Sequence, residues 1–277
     1  RHPAGGCALV GSLSSAADCE RFAADLKVIY YLAHRNTPVD SDLNQVQDAV
    51  ANLAPLLGLL QAIRRLKSRP HIVYFSSGGA VYGPAESPAP YRETDACAPS
   101  TSYGIVKLAA EQYLRLAAAR GELTAVALRP GNAYGTVLPE DRAQGLIGVA
   151  ANRLLHGKPV RVFGNPQNVR DYVHLDDLCA MACLAASPRR AFDIVNVGAG
   201  VGHSVLDVLK IVEECSGMEM KLEYDGRCGG FLPNWVVLDT SKARQEYGWS
   251  PSISLRTGIQ RMLADRSSPV LAGKAVV

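Results

Sequence analysis

The sequence lacks a Cys-x-x-Cys pair; its seven cysteines are scattered at positions 7, 19, 97, 179, 183, 215 and 228. An odd number spread over 277 residues excludes a disulfide-stapled scaffold and reads as free thiols in a reducing compartment. The six histidines show no zinc-ligand spacing. Cys179 and Cys183, one helical turn apart on an apolar face, are expected in the core rather than on a metal. No basic run is dense enough for nucleic acid at a net charge of +3. The cluster Arg64–Arg69 ends an apolar helical stretch, where cations complement the helix dipole. No run approaches the apolar length of a membrane span and no signal peptide opens the sequence, so a cytoplasmic protein with no membrane or nucleic-acid partner is expected. No internal repeat or low-complexity linker divides it.

What is present alternates. Short apolar runs at 7–10, 28–33, 71–75 and 124–130 read as strands; stretches at 16–25, 43–68 and 103–121 carry helical spacing. Strand–helix–strand order with nearly continuous apolar strands predicts a parallel sheet covered on both faces, an α/β fold. Further on, helices are expected at 143–156, 204–216 and 254–265, with strands at 160–164 and 192–198. Asp176 and Asp177 stand where the helix between those strands should begin, suiting its positive end. The expected division is a Rossmann-like doubly wound parallel sheet from 1–135 plus about 170–198. A smaller interleaved C-terminal substrate lobe takes 136–169 plus 199–277.

The octapeptide Ser76-Ser-Gly-Gly-Ala-Val-Tyr-Gly83 follows the strand-like His71–Phe75, and alone it reads as a strand ending in a glycine turn. Twenty residues beyond it lies Tyr103-Gly-Ile-Val-Lys107, at the start of a helix with Ser100, Thr101 and Ser102 as candidate caps. Tyrosine and lysine four apart share a helix face, and an ammonium there favours the phenolate, lowering the pKa of a would-be base. With "LRPGNAYG", "VFGNPQNVRDYVHLDDL" and "NVGAGVGHSVLDVLKIVE", these segments stand in an order and spacing that resemble the extended short-chain dehydrogenase/reductase family. Within it the likeness is to nucleotide-sugar 4-epimerases of the UDP-galactose 4-epimerase type, over nearly the whole chain.

The resemblance implies a bound NAD, a nucleotide-sugar substrate and a homodimer joined through the helices near 43–66 and 103–119. It implies Tyr103 as the acid/base at the sugar 4-hydroxyl and Lys107 on the nicotinamide ribose. Leu32, Ala33 and His34 match the turn lining the cofactor groove; Asn52, Ser76 and Pro130 fall on its cofactor side. Asn132 and Arg170 match holders of the substrate pyrophosphate, and an arginine fork suits phosphate oxygens. Phe163 falls on the substrate side, and Arg227 matches a second phosphate-binding arginine. From the residues alone, Arg170 could equally pair with Asp171 or Asp176, and Asn132 could cap a turn.

The sequence departs from that pattern at three places. The family's catalytic serine or threonine aligns with Gly78, leaving Ser77, one residue early, to replace the hydroxyl if the backbone shifts; water is the alternative. The Gly-x-x-Gly-x-x-Gly turn that cradles a dinucleotide pyrophosphate is not found, and the first βαβ unit is expected to lie outside this sequence. That segment would also read the ribose 2′-position, so NADP stands beside NAD. Near 227–235 the usual carboxylate gives way to Gly230 or Phe231, and Trp235 could stack on a ligand or pack in the core. Gly79-Ala80 offers no acid or base, which disfavours a 4,6-dehydratase and a decarboxylase. A keto-reductase and a non-catalytic nucleotide-binding relative remain as alternatives.

Overall fold

The structure is a computed structural model that describes residues 9–84, 88–142, 144–225 and 233–265. Strands β1 (Val28–Tyr31), β2 (His71–Phe75), β3 (Thr124–Pro130) and β7 (Phe192–Val197) form a parallel sheet in the order β1-β2-β3-β7. Helix α1 (Ala16–Ala23) precedes them, and between them run α2 (Pro38–Leu43), α3 (Gln45–Leu66), α4 (Gly78–Val81) and α5 (Ser102–Ala119). Alternate strand residues feed opposite layers. Ile72, Tyr74, Ala125, Ala127 and Ile194 pack under α1, α3 and α5 with Leu56, Ile63 and Leu114. Val73, Val126, Leu128, Val195 and Val197 pack against α7 (Leu175–Leu184) and α9 (Ser241–Tyr247) with Met181 and Trp249. Burial on both faces is why these strands read as unbroken apolar runs.

Local signals set the helix ends. Asn44 caps α3 by accepting from the Gln47 amide, and the helix stops at Lys67, whose backbone is left-handed at φ 52°. Its terminal cations pair outward, Arg64 with Glu122 and Arg65 with Glu20. By length and composition α3 alone among the described helices could cross a membrane, contrary to the sequence expectation. Yet it buries Asp48 and Asn52 and turns Leu56, Leu59, Leu60 and Ile63 into the core, as a soluble core helix does.

A second group holds α6 (Leu146–Leu155), α8 (Val205–Ser216) and α10 (Leu255–Ala264) around Tyr134, Tyr172, Ile147, Val208 and Ile259. Strand β6 (Val169–His174) pairs in parallel with β4 (Asn132–Tyr134) and β10 (Trp235–Val236) and antiparallel with β8 (Gly202–Ser204). Strand β5 (Val160–Phe163) pairs with β9 (Leu222–Asp225). Trp235 packs half-buried beside Tyr91, ring centroids 6.4 Å apart, in the cluster around Tyr82 and Leu238.

Strand β7 closes one side of the main sheet. The carbonyls of Ala191 and Val197 accept from β3 and the next residue, so the intervening Ile194 and Asn196 turn their backbone outward. There the Lys242 ammonium donates to the Ile194 carbonyl at 2.7 Å. The Ile194 amide donates to Asp193 at 2.9 Å, and the Asn196 amide to Glu93 at 2.8 Å.

Two expectations are corrected. Of the run 7–10, Leu9 and Val10 lie exposed outside any strand, and residues 7 and 8 are outside the described ones. Cys179 and Cys183 are exposed, because α7 turns Leu178, Met181 and Ala182 inward instead.

Candidate active site

The carboxyl ends of β1, β2 and β3 lie side by side, and the residues just past them meet the first turns of α5. This is where open parallel sheets bind ligands. Leu32, Ala33 and His34 follow β1, Ser76 and Ser77 follow β2, and Asn132 follows β3, where Pro130 is the last residue. Thr101 caps α5 by accepting from the Gly104 amide, which sets Tyr103 and Lys107 on the turn facing β2.

Tyr103 and His34 meet edge to face, their centroids 4.7 Å apart. Lys107 is buried, donates to the Phe75 carbonyl at 2.8 Å, and lies 5.5 Å from the Tyr103 ring centroid. Burial pushes its pKa down to about 8, against the pull of the Asp48 and Glu111 carboxylates. His34 is brought down to about 4, first by burial and then by the Lys107 charge. Its Nε2 is buried without a hydrogen-bond partner.

Beside the glycine at position 78, Ser77 is the hydroxyl that the structure brings near Tyr103. Its side chain lies near enough to the Tyr103 phenol to lower the phenol's pKa. Strand alternation does not forbid this, because β2 ends at Phe75 and Ser77 is the extended residue that precedes α4, φ −154°. A Cβ on Gly78 would stand 2.7 Å from Leu238 Cδ1 and 3.1 Å from the Arg129 carbonyl oxygen, so a bulkier residue there would have to displace both. The expected low tyrosine pKa is not what the protein alone has: burial raises Tyr103, Ser77 lowers it, and Asp48 raises it again. Burial is the largest of these causes, and the hydrogen bond of the Lys107 ammonium goes to a carbonyl.

Ser76 does not join this pair. Its hydroxyl donates to Glu111 at 2.5 Å, and Glu111 binds Arg129 through two bonds of 3.0 and 2.6 Å, with both charges buried. Asn52 supports the cofactor side indirectly: its oxygen accepts from the Arg35 amide at 2.7 Å and its nitrogen donates to Asp48 at 2.8 Å, fixing the turn that carries His34.

On the substrate side, Asn132 is exposed on β4, its side-chain oxygen 3.7 Å from where a Gly79 Cβ would be. Arg170 is half-buried on β6; burial lowers its pKa, and it donates to the Val169 carbonyl. Asp171, one of its candidate partners, instead accepts from the Ala199, Gly200 and Leu238 amides, and burial raises it to about 6. Phe163 is 58% exposed. Arg227, Gly230 and Phe231 lie outside the described residues. Sequence reading missed Asp48, buried four residues before Asn52 on the same face of α3, and the short helix α2, whose Thr37 cap and Pro38 were the available signal.

The site suits a nicotinamide dinucleotide: an exposed apolar turn at Leu32 and Ala33, a buried unpartnered imidazole nitrogen, and an ammonium beside a phenol at the sheet's carboxyl edge. The description "NAD dependent epimerase/dehydratase family" matches residues 6–198. The dTDP-4-dehydro-6-deoxyglucose reductase of Escherichia coli is 29% identical over 244 residues, 86% of this chain and 74% of that protein. The UDP-glucose 4-epimerase of Mycolicibacterium smegmatis is 30% identical over 248 residues, 88% of this chain and 78% of that protein. The structure of the Thermus thermophilus UDP-glucose 4-epimerase in complex with NAD has a TM-score of 0.84 at 29% identity, covering 91% of this chain and 82% of that one.

Proposed function

The chain belongs to the NAD-dependent epimerase/dehydratase family, and on that premise we propose that it inverts C4 of a nucleotide-activated hexose, a UDP-sugar, through a transient 4-keto sugar. The observation that carries this reading is the hydroxyl pair Ser77–Tyr103 with Lys107 one turn along the same helix. A sugar 4-hydroxyl placed between Ser77 and Tyr103 gives its proton to the Tyr103 phenolate, which becomes the neutral phenol, as the C4 hydrogen departs with its electron pair. Ser77 holds the reacting oxygen through its own hydrogen bond. The Lys107 ammonium favours the phenolate of Tyr103, the form able to take that proton. A bound NAD would supply the hydride chemistry at C4, removal from one face and return to the other. Leu32, Ala33 and His34 would border the cofactor, with Asn52 holding their turn, Ser76 anchoring β2 and Pro130 beside the nicotinamide. Asn132, Phe163, Arg170 and Arg227 would hold the nucleotide sugar.

Several finer readings go with this one. Residues 1–135 with 170–198 would hold NAD, and 136–169 with 199–277 the sugar. The exposed apolar side chains of Val46 and Val50 on α3, and of Ile105, Tyr113 and Leu116 on α5, support a homodimer, which light scattering reads. Free thiols at Cys19, Cys97, Cys179, Cys183 and Cys215 support a cytoplasmic location, which fractionation reads.

A second reading, reduction of a 4-keto nucleotide sugar with release of the cofactor at every turn, uses the same three residues and draws on the likeness to the E. coli reductase. The test is to purify the protein without added cofactor, denature it, identify the released nicotinamide, and incubate a second sample with UDP-glucose and UDP-N-acetylglucosamine. Retained NAD with C4 epimers supports the epimerase. Consumption of added NADH or NADPH by 4-keto substrates, without epimers, replaces it with the reductase. Failure to bind either dinucleotide removes both.

A further inference from the structure

The carboxylate of Asp48 is fully buried on α3, yet it touches neither open end of the site. Its Oδ1 accepts from Asn52 at 2.8 Å and from Asn36 at 3.1 Å. Its Oδ2 accepts from the Ser102 hydroxyl at 2.7 Å. One side chain therefore joins three elements: the turn after β1 that carries His34, the helix α3, and the first turn of α5 immediately before Tyr103. That first turn is held from a second direction by α2. The Ser102 amide donates to Asp42 at 2.7 Å and the Tyr103 amide to Ser41 at 3.0 Å. With Thr101 accepting from Gly104, three successive amides that a helix start leaves without intrahelical partners are each assigned a specific acceptor.

The charge balance gives Asp48 a second duty. Three charged groups face Lys107 and Tyr103: Asp48 from α3, Glu111 from α5 and, when protonated, His34 from the turn after β1. Tyr74 of β2 adds a phenol under the ammonium. Glu111 is already matched by Arg129. The Lys107 hydrogen bond goes to a neutral carbonyl. Asp48 is thus the carboxylate left to balance the buried ammonium, and an unbalanced buried charge is costly.

We propose that Asp48 is the positioning residue of the Tyr103–Lys107 pair: it fixes the first turn of α5 against the cofactor-side turn and supplies the counter-charge of Lys107. The proposal rests on the reading of Tyr103 and Lys107 as the reacting pair, and it is tested in the full chain by two variants. Asp48→Asn keeps the shape and removes the charge. Ser102→Ala keeps the charge and cuts the link to α5. Asp48→Asn should lower kcat about 10- to 100-fold with KM nearly unchanged. It should also move the Lys107 titration down by about one pH unit, followed by NMR of ¹³C-labelled lysine and assigned by its loss in Lys107→Arg. Ser102→Ala should lower kcat by a smaller factor and leave the Lys107 titration in place. A wild-type kcat or an unmoved Lys107 titration in Asp48→Asn overturns the proposal. So does a rate loss that only tracks the loss of folded protein. Should Asp48→Asn fail to fold, Ser102→Ala decides: unchanged kcat in a folded variant overturns the link. Absence of turnover by the wild type on every sugar tested counts against the functional reading alone, because the lysine titration needs no turnover.

Discussion

Two buried charge clusters lie one helix turn apart on α5, and they are built differently. Around Glu111 the charges are matched: Arg129 engages both carboxylate oxygens, Ser76 donates to one of them, and the guanidinium lies over the Tyr82 ring at 4.8 Å, its Nη1 alone being buried without a hydrogen-bond partner. Burial works against the Arg129 charge, but its bonds to Glu111 outweigh that and hold its pKa above the ordinary value. Around Lys107 the match is partial. The ammonium bonds to a carbonyl, His34 leaves Nε2 without a partner, and both side chains are held below their ordinary pKa values. A satisfied cluster fixes structure because any change in it strands a charge. An unsatisfied one stores the capacity to bind a ligand or move a proton, and perturbed groups gather at such places. The pair next to β2 whose charges are matched is architecture; the pair whose charges are not is where chemistry is proposed.

The sharpest break in that contrast would come from Tyr103→Phe. Turnover is expected to fall by about 10²- to 10⁴-fold while the unfolding midpoint stays put, read by steady-state assay beside thermal denaturation. A Tyr103→Phe protein that still turns over would erase the distinction. Glu111→Gln should do the reverse, costing about 3–5 kcal/mol of stability by leaving Arg129 uncompensated, as measured by urea unfolding. A cost well under 1 kcal/mol would show the charge-matched cluster to be dispensable.

Acid offers a third comparison. The folded pKa of His34, about 4, lies below that of an unfolded histidine, near 6.5, so its contribution is intact above about pH 6.5 and is lost as pH falls towards 4. Asp171, raised to about 6, works with the opposite sign, losing stability as pH rises from about 4 to 6. Comparing His34→Gln with the parent cancels Asp171: between pH 7 and pH 4 the variant should gain on the parent by at most about 3 kcal/mol. A constant difference across that range would mean the imidazole is not desolvated. The smallest expected effect is that of Ser77→Ala, a loss of roughly 10-fold in kcat/KM, about the worth of one hydrogen bond. Wild-type activity there would assign the second hydroxyl to something other than Ser77.

Much of this was legible from residue types. His71–Phe75 is β2 to the residue, because unbroken β-branched and aromatic character fits a strand covered on both faces. Tyr103 and Lys107 stood out because four residues on a capped helix place two chemistries on one face. Ser77 was a candidate only through its neighbours, and its reach to Tyr103 depends on where β2 stops. Asp48 was illegible: a charge within an apolar helix reads as surface until its partners Asn36, Asn52 and Ser102 arrive from three places in the chain. Leu9 and Val10 of the run at 7–10 failed for a related reason, since strand character is realised only by pairing and among the described residues no strand lies beside them. The short strands β4, β8 and β10 carry too few residues for any period to show.

The outer margin of β7 carries a last consequence. A sheet edge with free amides and carbonyls invites another strand, from the same chain or from a neighbour. Here Lys242 occupies the Ile194 carbonyl, Asp193 the Ile194 amide and Glu93 the Asn196 amide. An incoming strand would have to displace the half-buried Glu93 carboxylate and the buried Asp193 carboxylate with the Lys242 ammonium that pairs with it. The molecule has used three side chains to bring its sheet to a stop, so on this side further strands are refused and self-templated growth finds no starting edge.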